Sequence, residues 1–102
     1  MEPEIILAYE YFLVFWHYPN NELRDGNRSG TICQLLSGEE VIAQGEAILR
    51  PGEKFDPVIG RQVALNRALQ VYEDDIAGLY WRVYYDHYGA GDYDKYVEIM
   101  KV

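Results

Sequence analysis

Residues 5–18 read IILAYEYFLVFWHY, and this stretch decides which fold the chain can adopt. Aromatic and β-branched residues favour strands, and the run lies between Pro3 and a turn-rich segment, PNNELRDGNRSG, at residues 19–30. Both alternating faces of the run are apolar, which is typical of a strand that is covered on both sides. We therefore predict one long N-terminal strand, covered on one face by the rest of the domain and on the other by a second subunit.

A hairpin is expected after the loop. TICQLLS at residues 31–37 and VIAQGEAILR at residues 41–50 are joined by the short connection GEE, in which Gly38 can supply a positive φ. Gly45, inside the last of these strands, predicts a bulge or a close backbone approach. The hairpin and the N-terminal strand together give three antiparallel strands.

A helix start is the clearest local signal in the chain, within FDPVIGRQVALNRAL at residues 55–69. Asp56 can cap the first turn, and Pro57 suits the first helical position because its missing N–H would have no intrahelical partner there. One arc of the helical wheel is apolar and is predicted to pack on the sheet: Val58, Leu65, Ala68, Leu69, Tyr72 and Ile76. The solvent side is predicted to hold Gln62, Asn66, Gln70 and Glu73.

Beyond Glu73 the pattern leaves alternatives open. Asp75 could cap a second helix, or the first helix could continue toward Tyr88, and residues 79–88 fit either a helix or a strand. The closing segment, residues 92–102, fits an edge strand or a last helical turn. The sequence as a whole predicts one α+β domain over residues 1–102, with a three-stranded antiparallel sheet (a long N-terminal strand plus a hairpin) packed by one or two C-terminal helices.

Composition narrows the function classes. A net charge of -8 argues against a nucleic-acid binder, because phosphate contacts need a basic surface; it suits a protein that imitates DNA toward a basic protein. Ten tyrosines among 102 residues predict a subunit interface or a binding face. The single Cys33 excludes an internal disulfide framework and suits a reducing cytoplasm. No secretory signal is expected at the N-terminus, and residues 5–18 are too short to span a bilayer.

Residues that could carry catalysis are sparse. His17 and His87 lack metal-ligand spacing, and no nucleophile elbow, P-loop or dinucleotide fingerprint is present. The acidic run at residues 73–75 is typical of a solvated helix cap. We therefore predict no enzyme, no metal and no cofactor, with His17 as a structural hydrogen-bonding residue.

Arg61 is the more informative residue, because it projects into the apolar arc of the helix, where an unpaired charge is costly. It could clamp helix to hairpin by pairing with Glu46, Asp56 or a neighbouring acid. Alternatively, it could bind a phosphate or carboxylate together with a second arginine, beside an aromatic ring stacked on a base. The ligand-binding residues predicted on the second interpretation are Arg61, Arg67, Arg50 and Phe55.

The segment GEAILRPGEKFDPVIGRQVALNRAL, residues 45–69, resembles a pattern of small early proteins of bacteriophages. In that pattern a strand ending in G-x-A is followed by P-x-[DE]-x-F-[DN] and by a helix containing G-[RK]-x-[IV]-A-x-x-R-A. The matching residues are Pro51, Glu53, Phe55, Asp56, Gly60, Arg61, Ala64, Arg67 and Ala68.

The resemblance implies a phage-encoded inhibitor of bacterial antiviral immunity that acts in the cytoplasm of the host. Some small phage proteins of this kind are oligomeric sponges, which bind and sequester a cyclic nucleotide or ADP-ribose-type signal of Thoeris-type systems without turnover. Others are anti-CRISPR proteins that bind an effector directly. The expected function is therefore sequestration of a nucleotide-derived signal by a homo-oligomer; the alternative is an acidic anti-CRISPR or DNA-mimic protein that blocks a host defence effector.

Overall fold

Four strands come first along the chain and two helices follow, so the predicted α+β class is confirmed. The computed structural model describes residues 3–18, 29–49 and 56–89. Its elements are β1 (Glu4–Ala8), β2 (Tyr11–Tyr18), β3 (Gly30–Ser37), β4 (Glu40–Ile48), α1 (Pro57–Ala68), a 3₁₀ turn (Leu69–Val71) and α2 (Asp74–Tyr88). The sheet is an antiparallel meander in the order β1-β2-β3-β4.

The prediction of one long N-terminal strand is wrong, and so is the strand count of three. The chain reverses at residues 9–10, and Ala8 pairs with Tyr11, so residues 4–18 form a tight hairpin. Tyr9 takes the first loop position with a φ of 61°, a left-handed conformation that costs a non-glycine residue about 1–2 kcal/mol. The reversal gave no sequence signal because the turn lacks glycine, asparagine and proline.

The hairpin explains why both alternating sets of residues 5–18 are apolar. Ile6 of β1 lies opposite Leu13 of β2, and both face the helices. Ile5 and Phe12 face the opposite side of the sheet, where they are exposed. The core between the sheet and the helices contains Ile6, Ala8, Leu13, Phe15, Cys33, Leu35, Ala43, Ala64, Leu65, Ala68, Leu69, Tyr80 and Tyr84.

The start of α1 is as predicted. The backbone N–H of Val58 donates to the Asp56 carboxylate at 3.0 Å, and Pro57 is the first helical residue. The predicted wet side of α1 is wrong at Gln62, which is fully buried. Its amide donates to the Val58 carbonyl at 3.3 Å and accepts from the Tyr85 hydroxyl at 2.7 Å, because α2 folds back over this side of α1.

Two helices form, rather than one long helix, and residues 79–88 are helical. The N-cap of α2 is Glu73, whose side chain makes no capping hydrogen bond, and the Asp75 carboxylate accepts instead from the N–H of Ile76 at 2.9 Å. Ile76 was predicted to pack on the sheet but is exposed, since α1 ends before it and α2 has a different buried face. The predicted closing segment, residues 92–102, lies outside the described residues.

Direct contact between α1 and the sheet fixes the spacing of the two layers. A Cβ added at Gly45 would lie 2.2 Å from the carbonyl oxygen of Ala64 and 2.2 Å from the backbone nitrogen of Ala68. The predicted close backbone approach at Gly45 is thus confirmed. The bulge lies elsewhere in β4, at Ile42, because Leu35 of β3 pairs with Ala43 and the next residue, Leu36, pairs with Val41. Gly38 takes its predicted positive φ, 62°, in the β3–β4 turn.

Substituting Gly45 tests this contact. We expect Gly45→Ala to lower the free energy of unfolding by about 3 kcal/mol or more, because two backbone segments must separate to admit the methyl group. Gly78→Ala is the matched control: a Cβ at Gly78 meets nothing within 4 Å, and alanine in a helix interior should raise stability by about 0.5–1 kcal/mol. Urea unfolding measures both, and a Gly45→Ala protein as stable as wild type would contradict the contact.

Candidate functional site

A cluster of polar side chains lies between the sheet and the two helices, at the end where β1 begins. It joins three strands to both helices, and we call it the Arg61 cluster. Its members are Glu4, His17, Thr31, Arg61, Tyr84 and Tyr88.

Arg61 is the centre of the cluster and is only 8% exposed. Its Nε donates to the Tyr84 hydroxyl at 3.1 Å, and its Nη1 lies 3.5 Å from Oε1 of Glu4. The guanidinium carbon also lies 4.0 Å from the centre of the Tyr88 ring, in the position of a cation–π contact. The buried charge is therefore compensated by a carboxylate, a hydroxyl and an aromatic face.

The acid that pairs with Arg61 is Glu4, from the start of the first strand. The acids suggested by sequence are used elsewhere: Glu46 accepts a hydrogen bond from the Tyr18 hydroxyl at 3.1 Å, and Asp56 caps α1. The clamp that Arg61 forms thus joins α1 to β1, at the edge of the sheet, and not to the β3–β4 hairpin.

Glu4 is held in its ionised form by its neighbours. Burial raises the pKa of Glu4, but hydrogen bonds from Tyr88 and His17 and the charge of Arg61 outweigh it, and the pKa lies below its usual value. The Tyr88 hydroxyl donates to Oε2 at 2.9 Å, and His17 Nε2 lies 2.5 Å from Oε1. The single Glu4 carboxylate therefore contacts an arginine, a histidine and a tyrosine.

His17 is a structural hydrogen-bonding residue, as predicted. Its Nδ1 lies 2.9 Å from the Thr31 hydroxyl, while Nε2 contacts Glu4. The Thr31 hydroxyl, the His17 imidazole and the Glu4 carboxylate are thus linked in the same order as the nucleophile, base and orienting acid of a catalytic triad. Thr31, however, is fully buried, and a Cβ added at Gly60 would lie 2.3 Å from its hydroxyl oxygen. The backbone of α1 therefore covers this hydroxyl and blocks the approach of a substrate carbonyl.

Aromatic rings of α2 surround the cluster. Tyr84 contacts Phe15 edge-on at 5.9 Å between ring centres, and Trp81 stacks on Tyr85 at 5.6 Å. Tyr80, Tyr84 and Tyr88 are spaced four residues apart, which places them on one face of a helix. This spacing is the sequence signal for the aromatic partners of Arg61 in α2. It indicates a shared face only if residues 79–88 are helical, and the sequence fits a helix or a strand there.

The structure does not bring the predicted arginines together. Arg67 is exposed, and its Nη1 donates to the backbone carbonyl of Glu46 in β4 at 2.6 Å, whereas Arg61 contacts Glu4 in β1. These two strands are the opposite edges of the described sheet, about 14 Å apart at the usual strand spacing. Arg50 and Phe55 lie outside the described residues.

Two other features offer little chemistry. A cavity of about 340 Å³ lies between the end of α1 and the start of α2; its lining holds one acid and no base, which does not suit an anion. The lining residues are Asn66, Leu69, Gln70, Tyr72, Asp74, Ala77, Gly78 and Trp81.

Cys33 is buried, and burial raises the pKa of its thiol. Within the described ranges, no group of His, Cys, Asp and Glu could hold a metal ion.

Replacement of the two arginines separates a clamp from an anion site. We expect Arg61→Ala to lower the free energy of unfolding by about 2–3 kcal/mol, less than for a fully buried pair because the Glu4 side chain is partly exposed. Arg67→Ala, the matched exposed control, should change stability by about 0.5 kcal/mol or less. Thermal melts without ligand measure both. An Arg61→Ala protein as stable as wild type would contradict the clamp and favour an anion pocket.

The pKa of Glu4 gives the cluster a pH dependence. Since this pKa is lower in the folded state, ionised Glu4 contributes stability above its unfolded value near 4.5, and that stability is lost as the pH falls through the folded value. The stability advantage of wild type over Glu4→Gln should therefore shrink between pH 6 and pH 3. Tyr88→Phe removes one pKa-lowering hydrogen bond and should shift the loss to higher pH. Urea unfolding at each pH measures this; a constant difference would contradict it.

Two observations concern the chain more broadly. Neither described helix is long and apolar enough to cross a membrane. No protein-family model, curated protein or solved structure matches this chain, and the resemblance of residues 45–69 to small phage proteins stays a prediction.

Proposed function

We propose that this protein is a non-catalytic inhibitor that binds a basic surface of a protein partner, and that the partner is an effector of bacterial immunity. The observation that carries the proposal is a largely exposed segment, residues 71–79, which runs from the end of the 3₁₀ turn into the first turns of α2. In it, three consecutive acids are flanked by apolar side chains. The immune setting comes from the resemblance of residues 45–69 to small phage proteins.

Charge supports a basic partner. The described residues hold ten Asp and Glu against three Arg, a net charge of -7, and Arg61 is buried against Glu4. Arg67 and Arg82 are the exposed bases in these ranges. Such a surface attracts a positively charged protein over long distances and speeds the encounter with it.

The segment supplies apolar anchors together with its charge. Val71 is 73% exposed, and Ile76 and Leu79 are also exposed. Between them lie Glu73, Asp74 and Asp75, all three exposed. Acids steer a partner and apolar side chains supply contact area once water is excluded, so this combination suits protein recognition better than ligand capture in a pocket.

Sequestration of a nucleotide-derived signal is the second candidate. Arg67 supports it, because its guanidinium is exposed beside β4 and could reach a phosphate. Arg61 gives it less support, because Glu4, Tyr84 and Tyr88 already compensate its charge.

A capture experiment distinguishes the two candidates. The tagged protein is immobilised and incubated with lysates of bacteria that carry CRISPR or Thoeris systems, and retained proteins are identified after a salt gradient. We expect one basic protein at a stoichiometric level, lost with the double variant Asp74→Lys/Asp75→Lys. The matched control, Glu39→Lys/Glu40→Lys, makes the same charge change at the exposed β3–β4 turn and should retain the partner.

The same material tests the second candidate. A nucleotide released by boiling the washed protein, and lost with Arg67→Ala, would favour signal sequestration. Equal loss of a protein partner with both double variants would show that total charge decides binding, and would contradict a role for residues 71–79.

A further inference from the structure

The face of the sheet turned away from the helices is rich in exposed apolar side chains. Alternation along the strands puts Leu7, Phe12 and Trp16 on this face; they are 65%, 40% and 37% exposed. Ile5, Val41 and Ile48 extend the exposed surface across the sheet from β1 to β4. We call this surface the outer face. A contiguous apolar area of this kind is rarely left in water by a monomer.

Polar groups on the outer face already have partners within the face. Trp16 Nε1 donates to the Gln34 side-chain oxygen at 3.2 Å, and Gln34 donates in turn to Gln44 at 2.9 Å. Tyr18 donates its hydroxyl to the Glu46 carboxylate. Because these hydrogen bonds run along the surface, covering the face with another apolar surface leaves few polar groups unsatisfied.

The charge distribution of the outer face favours a second copy of this chain as its binding partner. Among the described strand residues whose side chains belong to the outer face, only Glu46 is charged, although the chain carries -8. A basic partner would gain no electrostatic attraction here. A second copy of this chain presents an identical uncharged, apolar face, and a twofold axis can match the two.

The area is sufficient for such a pair. The four strands, of 5, 8, 8 and 9 residues, cover about 500 Å² per copy at ordinary strand spacing and rise. Two copies therefore bury about 1,000 Å² in total, the lower bound for a specific interface. Sheets that stack face to face lie about 10 Å apart, which leaves both helix layers on the outside. The acidic segments 71–79 then point away from each other, beyond the ~8 Å screening length of physiological salt.

We infer that two copies of this chain pair through the outer faces of their sheets, with Leu7, Phe12 and Trp16 inside the interface. The outer face is thus the contact surface of the homo-oligomer that the apolar run at residues 5–18 predicts. It is independent of the proposed binding function, because residues 71–79 lie on the helix side of the fold.

Sedimentation velocity of the full chain, from 1 to 100 µM, tests the pairing. Wild type should sediment at twice the 11.9 kDa chain mass, and Phe12→Glu should be monomeric, because an unpaired carboxylate would be buried in an apolar interface. Val71→Glu is the control, since it places the same charge on an exposed apolar site outside the outer face, and it should remain dimeric. Circular dichroism and melting confirm folding; if Phe12→Glu unfolds, Leu7→Glu replaces it.

A second readout locates the interface. Acrylamide quenching of tryptophan fluorescence should increase in Phe12→Glu relative to wild type, because Trp16 becomes accessible. A wild type that is monomeric throughout the range would overturn the inference, as would a dimer that survives both outer-face substitutions. Asp74→Lys/Asp75→Lys should remain dimeric and Phe12→Glu should still capture a basic partner, so failure of this inference and failure of the proposed function give different results.

Discussion

The ion pair between Arg61 and Glu4 is the constraint on which the packing of the helices depends. A guanidinium in the interior of a small domain must be compensated, and Glu4, Tyr84 and Tyr88 do so from three sides. These contacts tie the middle of α1 to the first residue of β1 and to the last two turns of α2. The position of α2 over the sheet is therefore determined by polar contacts as well as by apolar burial.

Short-range signals in the sequence predicted the elements whose chemistry is local. Asp56 and Pro57 marked the start of α1, and Gly38 and Gly45 marked the turn and the close approach of β4 to the helix. The reversal at Tyr9 was missed because its residue types favour a strand, and the φ of 61° is imposed by the pairing of β1 with β2. The predicted α+β class is nevertheless correct, because an extra antiparallel strand at one edge of the sheet leaves the arrangement of the two layers unchanged.

The site was harder to predict than the fold. That Arg61 needs an acid followed from its place on the helical wheel, but the choice of Glu4 over Glu46 or Asp56 depends on which strand lies at the sheet edge beside α1. The helical wheel of α1 likewise predicts Gln62 in solvent, because the residue is buried by α2, which lies more than ten residues further along the chain. Periodicity within one helix cannot report a second helix that packs across it.

The reach of the cluster along the chain has a consequence for how the protein is made. The hydrogen bond from Tyr88 to Glu4 joins residues 84 positions apart, and the Arg61–Glu4 contact spans more than half of that distance. Contacts of this separation form late, since a long loop must close before they contribute. During synthesis the two hairpins emerge before either helix, and Leu13 and Phe15 then have no cover on the inner side of the sheet. A sheet formed by the two hairpins alone would therefore expose apolar side chains on both faces until α1 and α2 cover the inner one, and exposed surface of this kind makes a partly folded chain prone to association.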